Sequence, residues 1–191
     1  MANPFPDIYP DGPDGWQPDL KELQARDLSP NGILQINAFD PVEQFFAKGS
    51  WKLLSGVEIG TTLRGHFTTN KYSTTGFSLF DYFIFPWTGL PCGTGDGVKT
   101  VFTIPAKQTS AQTVKDNGGA AGANTILVGT GPDGEDQISF TTPPANGHVI
   151  TIDCTGRRRF TVLYVTEVWS PRWSGEADIW IIELEFIEKV N

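Results

Sequence analysis

Large apolar side chains crowd into three stretches of this chain, and most of what lies between them is glycine, proline and polar residues. In Phe77-Ser-Leu-Phe-Asp-Tyr-Phe-Ile-Phe-Pro-Trp87, one face of an extended strand carries Phe77, Leu79, Phe83 and Phe85, and the other Phe80, Tyr82 and Ile84. Phe160 to Trp169 again has large residues on both faces, and in Ile179 to Ile187 the apolar Ile182, Leu184 and Phe186 alternate with Glu183 and Glu185. A period of two predicts strands. Burial on both faces calls for a second cover, from a helix, another part of the chain or an adjacent subunit.

One segment reads as a helix. In Asp40-Pro-Val-Glu-Gln-Phe-Phe-Ala-Lys-Gly49, Asp40 suits the cap, Pro41 the first helical position and Gly49 a left-handed end, while Val42, Phe45 and Phe46 fall on one helical face. About two turns long, such a helix has to lean on a sheet.

A second β pattern interrupts the first between residues 92 and 156. It predicts short strands at Val98–Ile104, Asn124–Val128, Gln137–Thr141 and His148–Ile152, with a loop over Asp116–Gly122 and Gly-Pro-Asp-Gly and Pro-Pro-Ala-Asn-Gly turns between them. That spacing describes a small β-sandwich set into a larger β domain formed by 21–91 and 157–191. Residues 1–20, rich in proline, aspartate and glycine, predict an extended arm that either lies along a neighbour or is a flexible terminus.

Composition narrows the class. At 191 residues the chain can bury one core plus a small satellite, and Gly 21, Pro 14 and 12% aromatics suit an all-β protein with many turns. A formal net charge of −8 disfavours general affinity for nucleic acid. No apolar run approaches the ~20 residues of a membrane span, and the first residues lack the pattern of a signal peptide, so assembly in the cytoplasm without membrane insertion is expected. Cys92 and Cys154 sit at the two ends of the inserted segment and become neighbours if those ends emerge side by side; a reducing cytosol favours two buried thiols over the alternative, a disulfide.

Chemistry is sparse. His66 and His148 have no companion ligands in the sequence and read as lone surface histidines; no nucleophile elbow, zinc motif or phosphate-loop lysine is present. Gly93-Thr-Gly-Asp-Gly97 leads into a strand, so it reads as a turn rather than an anion cradle. Asp133-Gly-Glu-Asp136 reads as a hydrated turn without calcium-loop spacing. No catalytic residue, metal or cofactor is expected; a hydrolase would need two carboxylates facing across a groove, which sequence does not supply. The basic run Arg157-Arg-Arg159 is either a subunit contact, with Glu183, Glu185 and Glu188 as its acidic counterpart and Trp180 beside them, or a solvated strand edge. Trp87, Trp169 and Trp173 are candidates for sugar stacking or interface anchoring.

Gly76-Phe-Ser-Leu-Phe-Asp-Tyr82, followed by Gly93-Thr-Gly-Asp-Gly97 and Thr100-Val-Phe-Thr-Ile104, resembles tail proteins of long-tailed bacteriophages, and Phe140-Thr-Thr-Pro-Pro-Ala-Asn-Gly-His-Val-Ile-Thr-Ile152 is similar to a recurring phage-fibre phrase. The resemblance covers roughly residues 76–188 and is that of distal or minor tail proteins. It implies a tail-tube-like β-sandwich or barrel with one short flanking α-helix and an inserted β module. It also implies a non-enzymatic virion subunit of a hexameric ring at the tail tip. Its partners would be copies of itself, the tail tube protein, the baseplate hub and receptor-binding proteins, with DNA passing through the channel without specific binding. The alternative is a carbohydrate-binding module that recognises a host surface glycan.

Overall fold

A computed structural model describes residues 4–10, 15–28, 34–175 and 178–189, with backbone alone for 19–28 and 34–44. The protein is mainly β, with antiparallel sheets; among the described residues there is one short helical segment and the sheets do not close into a barrel. The chain divides into two compact units, Met1–Phe77 with Thr161–Asn191, and Ser78–Phe160. The second unit thus begins earlier and ends later than the 92–156 segment that turn spacing marks out.

In the first unit, β1 (Trp16–Leu28) and β2 (Leu34–Leu54) form a long antiparallel hairpin, in register from Trp16 opposite Gly49 to Leu28 opposite Leu34, with an irregularity between Glu22 and Gln24. The expected helix over Asp40–Gly49 is therefore strand. Its local capping signals lose to a period-two burial pattern in which Phe45, Ala47, Gly49 and Trp51 face inward. Gly49 is no helix terminator: a β-carbon there would collide with the six-membered ring of Trp51, so the glycine makes room for the indole.

The actual helical segment follows β2. A wide turn over Glu58–Leu63 runs into α1 (Arg64–Asn70), burying Ile59, Leu63 and Phe67 at four-residue spacing. Ser55 and Glu58 start it as a reciprocal cap: the Ser55 N–H donates to the Glu58 carboxylate at 2.8 Å and the Glu58 N–H donates to Ser55 Oγ at 3.3 Å. That contact holds the Glu58 carboxyl below its usual range, chiefly through the Ser55 backbone N–H.

The final strand, β12 (Trp180–Glu188), lies beside β2 from Trp180 opposite Leu54 to Ile187 opposite Phe46. It pairs on its other side with the end of β10 (Val149–Tyr164) over Val162–Tyr164, and β11 (Arg172–Trp173) joins its start. The core of this unit is built of rings. Phe5, Trp16, Trp51, Phe67, Phe77 and Phe186 are each at most 6% exposed, and Tyr164 packs tilted on Phe77 at 4.8 Å and on Phe186 at 5.3 Å. Residues 4–10, within the expected arm, carry no regular structure, yet Phe5 is part of this core and the Ile8 carbonyl accepts the Trp51 indole N–H at 2.8 Å.

The second unit is a sandwich of two small sheets. In one, β10 pairs with β4 (Phe85–Thr94) on one side and β6 (Ala106–Asp116) on the other, with β7 (Gly119–Ala120) beyond β6; in the other, β9 (Gln137–Phe140) lies between β5 (Val101–Thr103) and β8 (Asn124–Leu127). Leu90, Phe102, Ile104, Ile138, Phe140, Ile150 and Ile152 fill the space between. The single strand expected over Phe77–Trp87 is broken into β3 (Phe77–Phe80) and β4, because Asp81 is buried between them and accepts the Phe83 N–H at 3.1 Å. The strand expected from Phe160 to Trp169 ends at Tyr164 and starts far upstream, at Val149.

Two of the sequence phrases form one clasp in this unit. The Gly95 N–H donates to the His148 carbonyl at 2.8 Å, the Gly147 N–H to the Gly95 carbonyl at 3.0 Å and the Gly97 N–H to the Pro144 carbonyl at 3.1 Å. A β-carbon at Gly95 would lie 2.5 Å from the Ala145 carbonyl oxygen, so glycine is required for this approach. Asp96 completes the turn by accepting the Val98 and Lys99 N–H groups at 2.8 and 2.5 Å, which holds its carboxyl below the usual range, Lys99 contributing most.

Candidate functional site

The three arginines at the end of the second unit point to different partners. Arg157 is 1% exposed, and its Nε donates to the Asp81 carbonyl at 2.6 Å while its guanidinium lies 5.1 Å from the Tyr82 ring centre. Arg158 is held over Trp87 at 5.1 Å and Phe160 at 5.0 Å. Arg159 pairs with Glu135 and reaches Asp133 at 3.8 Å. These contacts are internal to the unit, and burial leaves the Arg157 side chain no surface to offer a neighbouring subunit.

The segment expected as a hydrated turn is instead a buried anionic anchor. Glu135 and Asp136 are both 0% exposed. Asp136 accepts the Thr109 N–H at 2.8 Å, the Thr109 hydroxyl at 2.6 Å and the Gly129 N–H at 2.8 Å, and Glu135 accepts the Asp133 N–H at 2.8 Å besides its Arg159 partner. Each oxygen faces a donor that a cation would have to displace, so the cluster is built to hold loops rather than a metal. Among the described residues no group of three His, Cys, Asp or Glu side chains is placed to bind a metal ion.

The acidic residues of β12 find lysine and arginine within their own unit. Lys48 lies 3.0 Å from Glu183 and 3.9 Å from Glu185, and Arg172 is 3.7 Å from Glu183. The hydrogen bond from Lys48, then its charge, holds the Glu183 carboxyl low, and the same contact raises Lys48. Glu188 accepts the Phe45 N–H at 3.1 Å, and half-buried Trp180 stands opposite Trp173.

The tryptophans do not make one platform. Trp87, in the second unit, is half-buried and donates its indole N–H to the Gly156 carbonyl at 3.1 Å, with Arg158 against its face. Neighbouring Phe85 meets it edge-on at 82°, so the two rings do not extend one another into a single flat platform. In the first unit, Trp169 packs on Phe67 at 5.3 Å, whereas Trp173 is 61% exposed.

Neither histidine is a lone surface residue. His66 is 8% exposed, packs edge-on to Phe77 at 4.7 Å, and its Nδ1 lies 2.7 Å from the Tyr164 hydroxyl; His148 Nδ1 lies 2.8 Å from Asp116. Cys92 and Cys154 are free thiols packed in or against the core of the second unit. Burial, with a smaller effect from Cys154, pushes Cys92 up to about 12, which removes it from thiolate chemistry near neutrality.

What sequence reasoning missed is backbone. β12 borders β2 only as far as Phe46, while β1 and β2 stay paired with each other out to Leu28 and Leu34. Beyond Phe46 the two strands are a ribbon without a third strand among the described residues, and β1 is the sheet edge along its length. The runs Leu34-Gln-Ile-Asn-Ala-Phe39 and Leu20-Lys-Glu-Leu23 carry the apolar content that would have marked it, but the capping signals of Asp40–Gly49 hid the continuity. Comparison with protein-family models and with curated protein sequences finds no match for this chain.

Proposed function

We propose that this chain is a non-enzymatic structural subunit that packs with copies of itself into a ring at the distal end of a phage tail, joining the tail tube to the host-recognition baseplate. The observation that carries the reading is the ribbon of β1 and β2 beyond Phe46. A two-stranded hairpin by itself is marginal in water, and a long open edge invites another strand. A neighbouring copy supplies both the cover and the edge, and repetition around an axis closes a ring. The phrase resemblance points to a virion protein. The net charge of −8 suits a channel through which DNA slides without being gripped. The tail tube, baseplate hub and receptor-binding proteins are the partners this reading assigns.

Mass determination in solution together with negative-stain microscopy tests it. The expected result is a closed ring with a central hole. A protein that stays monomeric at every concentration, and also fails to add to purified tail tubes, would remove the proposal.

A further inference from the structure

Among the described residues no strand pairs with the outer edge of β1, and its last nine residues, Leu20-Lys-Glu-Leu-Gln-Ala-Arg-Asp-Leu28, mirror themselves about Gln24 with the charges inverted. Set antiparallel against a second copy, that edge brings Leu20 opposite Leu28, Lys21 opposite Asp27, Glu22 opposite Arg26 and Gln24 opposite itself. Every charge in the stretch meets its opposite, and each pair occurs twice because the contact is two-fold.

Other registers lack this match. An edge strand turns the N–H and C=O of alternate residues outward, so directly opposite residues of two identical edges are both odd or both even. The extra residues at the irregularity near Glu22 belong to β2, where Ala38 and Glu43 stand opposite Gln24 and Glu22, so β1 keeps its own alternation. Centring on Leu23 sets Asp19 against Asp27, centring on Glu22 or Arg26 sets that residue against itself, and centring on Ala25 pairs no charges. Pro18, which has no N–H to give a ladder, lies just outside the stretch.

The same register extends rows already present in the hairpin. β1 and β2 set Leu20 opposite Phe45, which is 2% exposed, and Leu28 opposite Leu34, so an apolar row runs from Phe45 through Leu20 to Leu28 and Leu34 of the second copy. They also set Glu22 opposite Glu43, a like-charge pair that Arg26 of the second copy, on the other side of Glu22, offsets. We propose that β1 pairs antiparallel with β1 of a second copy of this chain, centred on Gln24. The proposal rests on the reading above that a copy covers this edge, and adds the strand and the register. Being two-fold, the contact joins copies in pairs, and a ring is then a ring of pairs closed through another surface.

Analytical ultracentrifugation of the full chain and its variants tests it. Lys21→Asp sets two like-charge pairs in the contact and should weaken pairing by about ten-fold, as should Asp27→Lys, whereas the double variant Lys21→Asp/Asp27→Lys should return to within about three-fold of the parent. Both residues stand opposite glutamines in their own hairpin, Gln44 and Gln35, so the exchange leaves the charge pairs of β1 with β2 as they were. A second measurement does not depend on charge. Under mild oxidation Gln24→Cys should give a disulfide-linked dimer, because directly opposite α-carbons lie about 4.5–5.5 Å apart, and Gln17→Cys should not. A double variant no stronger than the single ones, or equal linkage through Gln17→Cys, would overturn the register. Rings that form alike from every variant, without linkage through Gln24→Cys, would overturn it and leave the ring reading standing. A parent chain that is monomeric at every concentration overturns the pairing, and the ring reading falls with it if that chain also fails to add to purified tail tubes.

Discussion

The two units hold themselves together by different means. The second is small, and its mostly aliphatic core is flanked by polar groups that find partners inside the unit: Asp136 with Thr109 and Gly129, Glu135 with Arg159, Arg157 with Asp81. The first has a larger core made mostly of rings, but its longest hairpin runs on past the sheet that supports it. A unit whose loops are pinned by internal carboxylates satisfies those buried groups without a partner chain. One whose strands outrun their sheet leaves an open edge, and in the ring proposed above that edge is where a neighbouring copy would add.

The comparison can be broken most severely at the ring core. Trp51→Ala removes a fully buried indole and its bond to the Ile8 carbonyl, and should cost about 3–5 kcal/mol in the denaturant-unfolding transition. The near-ultraviolet signal of the aromatic cluster should fade at lower denaturant, while Ile138 and Ile152 methyl resonances of the second unit keep their positions.

Next is the anionic anchor. Asp136→Ala strands two N–H groups and a hydroxyl, and should cost about 3 kcal/mol. Asp136→Asn retains an acceptor and should fall between parent and alanine variant. If the alanine variant unfolds at the parental denaturant midpoint, the anchor is ornamental and the second unit is not held as described.

Ser55→Ala removes one half of the reciprocal cap and should cost about 1 kcal/mol, read as a lower thermal midpoint with faster exchange of amides in α1. The smallest effect belongs to the exposed Lys48–Glu183 pair, about 0.5 kcal/mol or less. Glu183 is depressed in the fold, so its contribution is present above the unfolded carboxylate value of roughly 4.3 and is lost as pH falls through the folded value. Lys48 is raised, so its share is complete below roughly 10.4 and is lost as pH rises through the folded value. Lys48→Met should flatten stability against pH at both ends, and salt should shrink the difference.

Much of the β character was legible, because β9 and β12 alternate cleanly and glycine–proline turns follow β8 and β9. β2 was not, because Asp40, Pro41 and Gly49 imitate helix ends, and only pairing with β1 and β12, distant in sequence, decides for strand. The true helix was encoded in Ser55, Glu58 and the Ile59–Leu63–Phe67 spacing, a signal eclipsed by the stronger-looking one before it. Arg157 looked like surface charge, but the register of β10 against β6 slips between Thr155 and Arg157, and alternation counted along the sequence loses its phase there. β6 has little apolar content to announce it; its Thr109 anchor to Asp136 is a tertiary contact.

Hydrogen–deuterium exchange of the ribbon amides, residues 34–45, measured across protein concentration alongside particle mass, tests the central claim most directly. If copies of the chain complete the first unit, these amides exchange fast in the dilute monomer and slow as rings accumulate, while β9 and β10 amides of the second unit stay equally protected throughout. Ribbon protection that is the same in monomer and assembly, or assembly that leaves the ribbon fast, would contradict the account.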